Sequence, residues 1–239
     1  DNIWRTIHNP ITIEMITTGQ NIPNISQEEE KYYKREQKRD KSITLGLQDF
    51  HNKIIKNKIL ISNAANVAKI SDEQKLTLLD LACGKGGDIP KWRDSGIDTV
   101  VGIDYVSNNI DDLNDGACAR YDFYKTQSEK TGIRIPKSYF LVGDAGKSIL
   151  KGKSVTDTRY SSLQYDLWNT NIHPNTNFIN NNFDMVSVMF ATHYFFKSEK
   201  ILDGFVNNVA DNLKPGGIFM GCCFDGNIVF EKLRDKPFN

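Results

Sequence analysis

From residue 75 onward the chain alternates short apolar runs with longer stretches in which apolar residues recur every three to four positions. The runs fall at residues 76–82, 99–104, 138–144, 183–191 and 218–224. Runs that are apolar at consecutive positions mark strands buried on both faces, as in parallel sheets, rather than strands with one wet side. Between them the pattern predicts helices over 87–95, closed by Gly96, and over 107–130, interrupted by Gly116. Two more are expected over 197–213, ended by Lys214-Pro215-Gly216-Gly217, and over 227–234. Strand and helix in alternation imply an α/β fold, a Rossmann-like doubly wound, mostly parallel sheet.

The first 75 residues read differently. Residues 1–25 carry Pro10, Gly19 and Pro23 among scattered apolar positions without a period, which predicts an extended arm or linker, with one main domain over 26–239. Ser26 with Glu29 three residues on suggests a helix start, and 31–41 continue it as a basic stretch with Tyr32 and Tyr33. That stretch is either a solvated face or a surface for phosphates and a stacked base. Over 43–61, Leu47, Phe50, Ile54, Ile55 and Leu60 near helical spacing predict an amphipathic helix, so the fold gains an N-terminal helical extension. Between the third and fourth strands, 146–182 is polar, and its Asn-rich part from Trp168 to Asn177 is expected to be a poorly ordered surface insertion.

Composition changes this picture little. Lys plus Arg and Asp plus Glu each number 30 in 239 residues, so any attraction for a polyanion must come from local clusters. The four cysteines include no pair at metal-ligand spacing, which points to a reduced, intracellular chain with no metal expected. No apolar run approaches the ~20 residues of a membrane span, so a soluble protein is expected. The start without Met and the stop just after a helical segment suggest a piece of something longer.

Chemistry gathers at the predicted carboxyl ends of strands, where open α/β sheets bind ligands. Asp80 precedes the turn Cys83-Gly84-Lys85-Gly86-Gly87, Asp104 ends the second strand eighteen positions after Gly86, and Asp144 ends the third. A carboxylate at the end of strand two suits ribose hydroxyls. Ile89 stands where a dinucleotide fingerprint has its third glycine, and Asp88 in the first helical turn would repel a pyrophosphate. A cationic or zwitterionic nucleoside such as S-adenosylmethionine fits better, with Asp80 toward the sulfonium or amino acid end, Asp104 on the ribose and Asp144 on the adenine amino group. Cys83 has no base beside it in the motif and is assigned to packing.

Leu79-Asp80-Leu81-Ala82-Cys83-Gly84-Lys85-Gly86-Gly87-Asp88, the Leu47-Gln48-Asp49-Phe50-His51-Asn52 helix, and Phe190-Ala191-Thr192-His193-Tyr194-Phe195-Phe196 resemble, in order and spacing, the mRNA cap (guanine-N7) methyltransferase family. The Trp4-to-Pro10 arm and residues 108–121 further resemble the methyltransferase portion of multidomain capping enzymes of large DNA viruses. The resemblance implies a cofactor site for S-adenosylmethionine, with S-adenosylhomocysteine as product, lined by Asp80, Ala82, Gly84, Gly86 and Asp104. Asp144, Ala145, Met189 and Phe190 would complete it, with Lys56 added although it lies one position beyond the family's helix lysine. His193 and Tyr194 would face the cap guanine as catalytic residues, Asn52 beside them, and Lys85 and Arg120 would meet the triphosphate. Without the resemblance, the alternative for His193 and Tyr194 is packing after an apolar strand, a reading that their position at a strand's carboxyl end disfavours.

The implied partners are a capped RNA 5' end, an upstream guanylyltransferase on the same longer chain and a stimulatory subunit, with no membrane. Location would be cytoplasmic (a viral factory) or the virion if viral, and otherwise intracellular. Departures from the family include Ala82 for a glycine, Gln48 for an arginine and Met189 for a glutamine, and the family's later cap-contacting residues would fall beyond Asn239. The expected activity is methyl transfer to guanine N7. The alternatives are a methyltransferase for another nucleobase or small molecule, and an inactive cofactor- or RNA-binding domain.

Overall fold

A computed structural model describes residues 44–169 and 182–234. The arm over 1–25, the Ser26 helix start, the basic stretch over 31–41 and the Asn-rich core of the insertion lie outside the described residues. Five strands form one sheet: β1 (Thr77–Asp80), β2 (Thr99–Asp104), β3 (Lys137–Val142), β4 (Phe183–Met189) and β5 (Leu213–Cys222). Every pairing is parallel and the spatial order is β3-β2-β1-β4-β5. The chain therefore leaves the β3 edge and returns on the far side of β1. That reversal opens a crevice between the carboxyl ends of β1 and β4.

The apolar runs are buried on both faces, as their continuity requires. Leu78, Val100 and Met185 point into one core, and Leu79, Val101 and Val186 into the other. The first core is covered by the helical rod α1 (Leu45–Asp49, Phe50–Ser62 and Asn63–Ala68) through Ile61, by α2 (Ile89–Asp94) through Trp92, by α3 (Ser107–Asp111) through Ile110, and by α4 (Ala117–Thr131) through Ala117. The second is covered by α5 (Ser161–Asn169) through Leu167 and Trp168 and by α6 (Glu199–Asn212) through Phe205. α7 (Gly226–Arg234) buries none of its residues.

Three features differ from the sequence pattern. The rod α1 runs through Leu45–Asp49, Phe50–Ser62 and Asn63–Ala68, and its middle segment is π-helical. Wider i→i+5 winding shifts the apolar stripe: Leu47 and Phe50 are exposed, and Ile61, Ala64 and Ala65 carry the burial. The segment assigned to a polar insertion holds a helix, α5, whose Trp168 is buried and donates from Nε1 to Asn212 Oδ1 (2.8 Å). Finally, β5 begins before its Pro-Gly-Gly turn. Phe183 pairs with Leu213 and Met185 with Ile218, so residues 214–217 bulge out opposite Asp184.

Candidate active site

The turn after β1 is built from glycines because two of its residues take left-handed backbone, Gly84 at φ 54° and Gly86 at φ 66°. Their surroundings differ. A Cβ on Gly84 would meet nothing within 4 Å, so its backbone faces the crevice, whereas one on Gly86 would press on Ile89 Cδ1 at 3.0 Å and on Ala117. Gly86 therefore serves the packing of α2 and α4 against the turn. Cys83 packs too: a Cβ on Gly102 of β2 would lie 2.8 Å from its Sγ, and burial raises its thiol well above the ordinary value.

Asp104 is fastened to this turn. Its Oδ2 accepts from Gly84 N–H (2.8 Å), and its Oδ1 from Val106 N–H (3.0 Å) and Asn109 Nδ2 (2.9 Å). Burial lifts its pKa above the usual carboxylate range, against the pull of those three donors. Three of about four lone-pair positions are thus in use, so Asp104 can take one further hydroxyl; holding two would require releasing a present donor. Asp144 accepts from Gly146 N–H (2.9 Å) and pairs through Oδ2 with Lys147 (3.2 Å), an exposed and therefore weak pair. Ala145 beside it is buried, its carbonyl taken by Asn208 Nδ2 (2.7 Å).

Asp80, at the end of β1, has a carboxyl that burial, and next the charge of Asp88, push up to about 7, with Lys56 pulling it down. Its Oδ1 receives Ala82 N–H at 3.4 Å. In register with it on β4 lies Ser187, whose buried hydroxyl has no hydrogen-bond partner among the described residues. Paired positions on neighbouring strands share a face, so an acid and an unsatisfied hydroxyl stand together where β1 meets β4. Such a set suits the ammonium of an amino acid group, and with Asp104 for a hydroxyl it fits the cofactor expected from the sequence. Ser187 escaped the sequence reading, although a lone serine inside the apolar run 183–189 was its signal.

Asp88 overturns one expectation. It does not stand as a free anion in the helix turn: Lys56 Nζ lies 3.0 Å from Oδ2 and Lys91 Nζ 2.6 Å from Oδ1. Burial would raise its pKa, but the two ammonium groups prevail and hold it below the ordinary value. Two lysines thus cancel the repulsion argued against a pyrophosphate, and the case against a dinucleotide rests on Ile89. Lys56, in turn, is held protonated by Asp88 despite burial.

Across the crevice, β4 ends in Met189, buried with Sδ 3.8 Å from Cys222 Sγ, and is followed by Phe190 at φ 57°. Among the described residues Phe190 is the sole non-glycine with positive φ, a conformation costing about 1–2 kcal/mol. Its N–H donates to Cys222 O (2.8 Å), and its ring lies 4.9 Å from that of His51 and 5.7 Å from that of Phe224. Lys56 Nζ sits 5.7 Å from the same centroid. His51 and Lys56, five residues apart, would diverge by about 140° on an α-helix. With about 82° per residue in π winding they diverge by about 50°, and both reach Phe190.

His193 and Tyr194 follow in a 3-10 turn, Thr192–Lys197, both exposed, with ring centroids 4.2 Å apart. Phe195 anchors the turn by stacking on Phe205 at 4.2 Å. The turn leaves His193 and Tyr194 at the surface rather than in the core. Asn52 is half-buried on α1, its Nδ2 donating to Gln48 O (2.8 Å). Lys85 and Arg120 are brought together by Asp115, which the sequence reading did not single out: Lys85 Nζ lies 2.6 Å from its Oδ1, and Arg120 Nη2 3.4 Å from its main-chain O.

Residues 18–237 match the family described as the mRNA (guanine-N(7))-methyltransferase domain. A probable mRNA-capping enzyme of Acanthamoeba polyphaga mimivirus is 28% identical over 99% of this chain and 20% of its own length. An mRNA cap guanine-N(7) methyltransferase of Aspergillus clavatus is 30% identical over 68% of this chain and 29% of its own. The chain thus spans about a fifth to a third of the curated relatives it matches. Among solved structures, the glycopeptide N-methyltransferase MtfA complexed with S-adenosyl-L-methionine overlaps 67% of this chain and 53% of its own, at 16% identity and a TM-score of 0.37.

Proposed function

Since the chain belongs to the mRNA (guanine-N7)-methyltransferase family, we propose that it moves a methyl group from S-adenosylmethionine to N7 of the guanosine cap of mRNA. The observation that carries this reading is the Gly84–Asp104 hydrogen bond. It supports the reading because it fastens Asp104, the acid read as taking ribose, to an open glycine turn after β1, the strand that neighbours β4 and its His193-Tyr194 turn. When bound, S-adenosylmethionine supplies an electrophilic methyl group on a sulfonium.

The chain's own residues bind and orient. Asp104 takes a ribose hydroxyl, Asp80 and Ser187 take the amino group, and Asp144 takes the adenine amino group as its surface pair with Lys147 opens. Phe190, in contact with the rings of His51 and Phe224, walls the crevice, while Met189 adds an apolar surface. His193 and Tyr194 hold the guanine, with Asn52 beside them, and Lys85 and Arg120 meet the triphosphate. Guanine N7 carries a lone pair and no proton, so no general base is needed. Alignment and electrostatics carry the rate, and well-oriented intramolecular reactions gain roughly 7–11 kcal/mol from alignment.

The activity belongs, in this reading, to a longer polypeptide with a guanylyltransferase segment upstream and a stimulatory subunit, acting in the cytoplasm or virion of a virus. The fifth of the mimivirus protein that the chain spans supports the longer polypeptide. Incubation with labelled S-adenosylmethionine and capped RNA, followed by nuclease digestion, should release labelled N7-methylguanosine. Label on another base, or none, refutes the assignment.

A further inference from the structure

Lys85 and Arg120 converge on an acid for which methyl transfer has no need. Asp115 sits in the connection between α3 and α4, and that connection is stiff. Asp112 Oδ1 accepts from Asn114 N–H (2.8 Å) and Asp115 N–H (3.1 Å), and these two donors hold its pKa below the ordinary value. Gly116 N–H donates to Asp112 O (2.9 Å), and a Cβ on Gly116 would come within 2.6 Å of that same oxygen, so only glycine closes the turn. The turn thereby fixes Asp115 against Lys85 Nζ at 2.6 Å, with its main-chain O toward Arg120. Arg120 Nη1 lies in turn 3.8 Å from where a Cβ on Gly87 would stand.

We propose that Asp115 is a specificity-determining residue, a fixed counter-ion that opposes phosphate chains at Lys85 and Arg120 in proportion to their charge. The inference rests on the reading that those two cations meet the cap triphosphate. A phosphate chain there must share Lys85 with the Asp115 carboxylate and lies within a Debye length, about 8 Å, of it. Each phosphorus of a bridged cap triphosphate carries one negative charge. A free nucleoside triphosphate adds the second ionisation of its terminal phosphate, with a pKa of about 6 for phosphate monoesters, and so meets the greater opposition. Asp115 thus favours the capped end over free GTP, which presents the same base.

The test measures binding of the cap dinucleotide GpppA and of GTP to the full chain, by calorimetry, for wild type, Asp115→Asn and Lys85→Ala. Asparagine keeps the shape and drops the charge, and thermal unfolding should be unchanged. Asp115→Asn should tighten GpppA about two- to fivefold, the scale of an exposed ion pair, and GTP by more, so that the preference for GpppA narrows. Weaker binding would mean that the acid merely props Lys85, and unchanged or equally tightened binding would mean no discrimination; each overturns the proposal. If Lys85→Ala leaves both affinities intact, the phosphate reading itself falls and the proposal with it. If Lys85→Ala weakens binding while Asp115→Asn has no effect, only the counter-ion role fails.

Discussion

Replacing Asp80 with asparagine removes a buried charge while preserving its shape. The carboxyl is 1% exposed, and burial, followed by the Asp88 charge, lifts its pKa from 3.8 to about 7. An acid whose folded-state pKa exceeds its unfolded value stabilises the fold as the neutral form. That contribution is complete below about pH 4 and is lost as pH rises through about 7. Three units at about 1.4 kcal/mol each give a scale of about 4 kcal/mol for full ionisation. Asparagine carries none of it. Urea denaturation of both proteins between about pH 4 and 9 should therefore show the variant gaining on wild type by up to about 4 kcal/mol as pH rises, with the change centred between the two pKa values. A difference that stays flat across that range would refute the reasoning. The same linkage acts on binding: an ammonium beside Asp80 draws off its proton, so wild-type affinity for S-adenosylmethionine should climb between about pH 6 and 8. The variant should bind more weakly and with a flatter pH profile.

Phe190→Gly relieves left-handed strain that Phe190→Ala retains, so the glycine variant should be the more stable by about 1 kcal/mol in urea denaturation, reversing the usual order of the two residues. Lys56→Met leaves Asp88 with Lys91 alone and should destabilise by about 2 kcal/mol, less than the 3–5 kcal/mol for losing a sole buried partner. It should also shift the Asp80-linked pH profile upward, because Lys56 lowers the Asp80 pKa. Asp104→Ala should weaken cofactor binding strongly in calorimetry. His193→Ala should leave cofactor binding intact while cutting methyl transfer to capped RNA; retained transfer would remove its guanine role.

The strands and the carboxyl-end acids were legible because both depend on local sequence. A strand buried on two faces needs consecutive apolar residues, and the crevice lies where such runs stop, so Asp80, Asp104 and Asp144 could be located without coordinates. What stayed hidden depends on partners far along the chain. Nothing local tells that Lys56 meets Asp88 32 positions later or that Asp115 answers Lys85 30 positions earlier. Trp168 was masked by the Asn-rich composition that follows it, yet Leu163, Leu167 and Trp168 stand at helical spacing and its indole finds Asn212 on α6. The apolar stripe of α1 failed for a different reason: a 3.6-residue template was laid on a helix wound more widely.

That winding bears on how chains of this kind can change length. A helix wound i→i+5 holds more residues per turn than an α-helix, so losing one residue within Phe50–Ser62 lets a turn tighten to i→i+4. The consequence falls on His51 and Lys56, which would part company at the Phe190 ring. Deletions in this segment are thus a way for evolution, or an engineer, to retune the crevice wall.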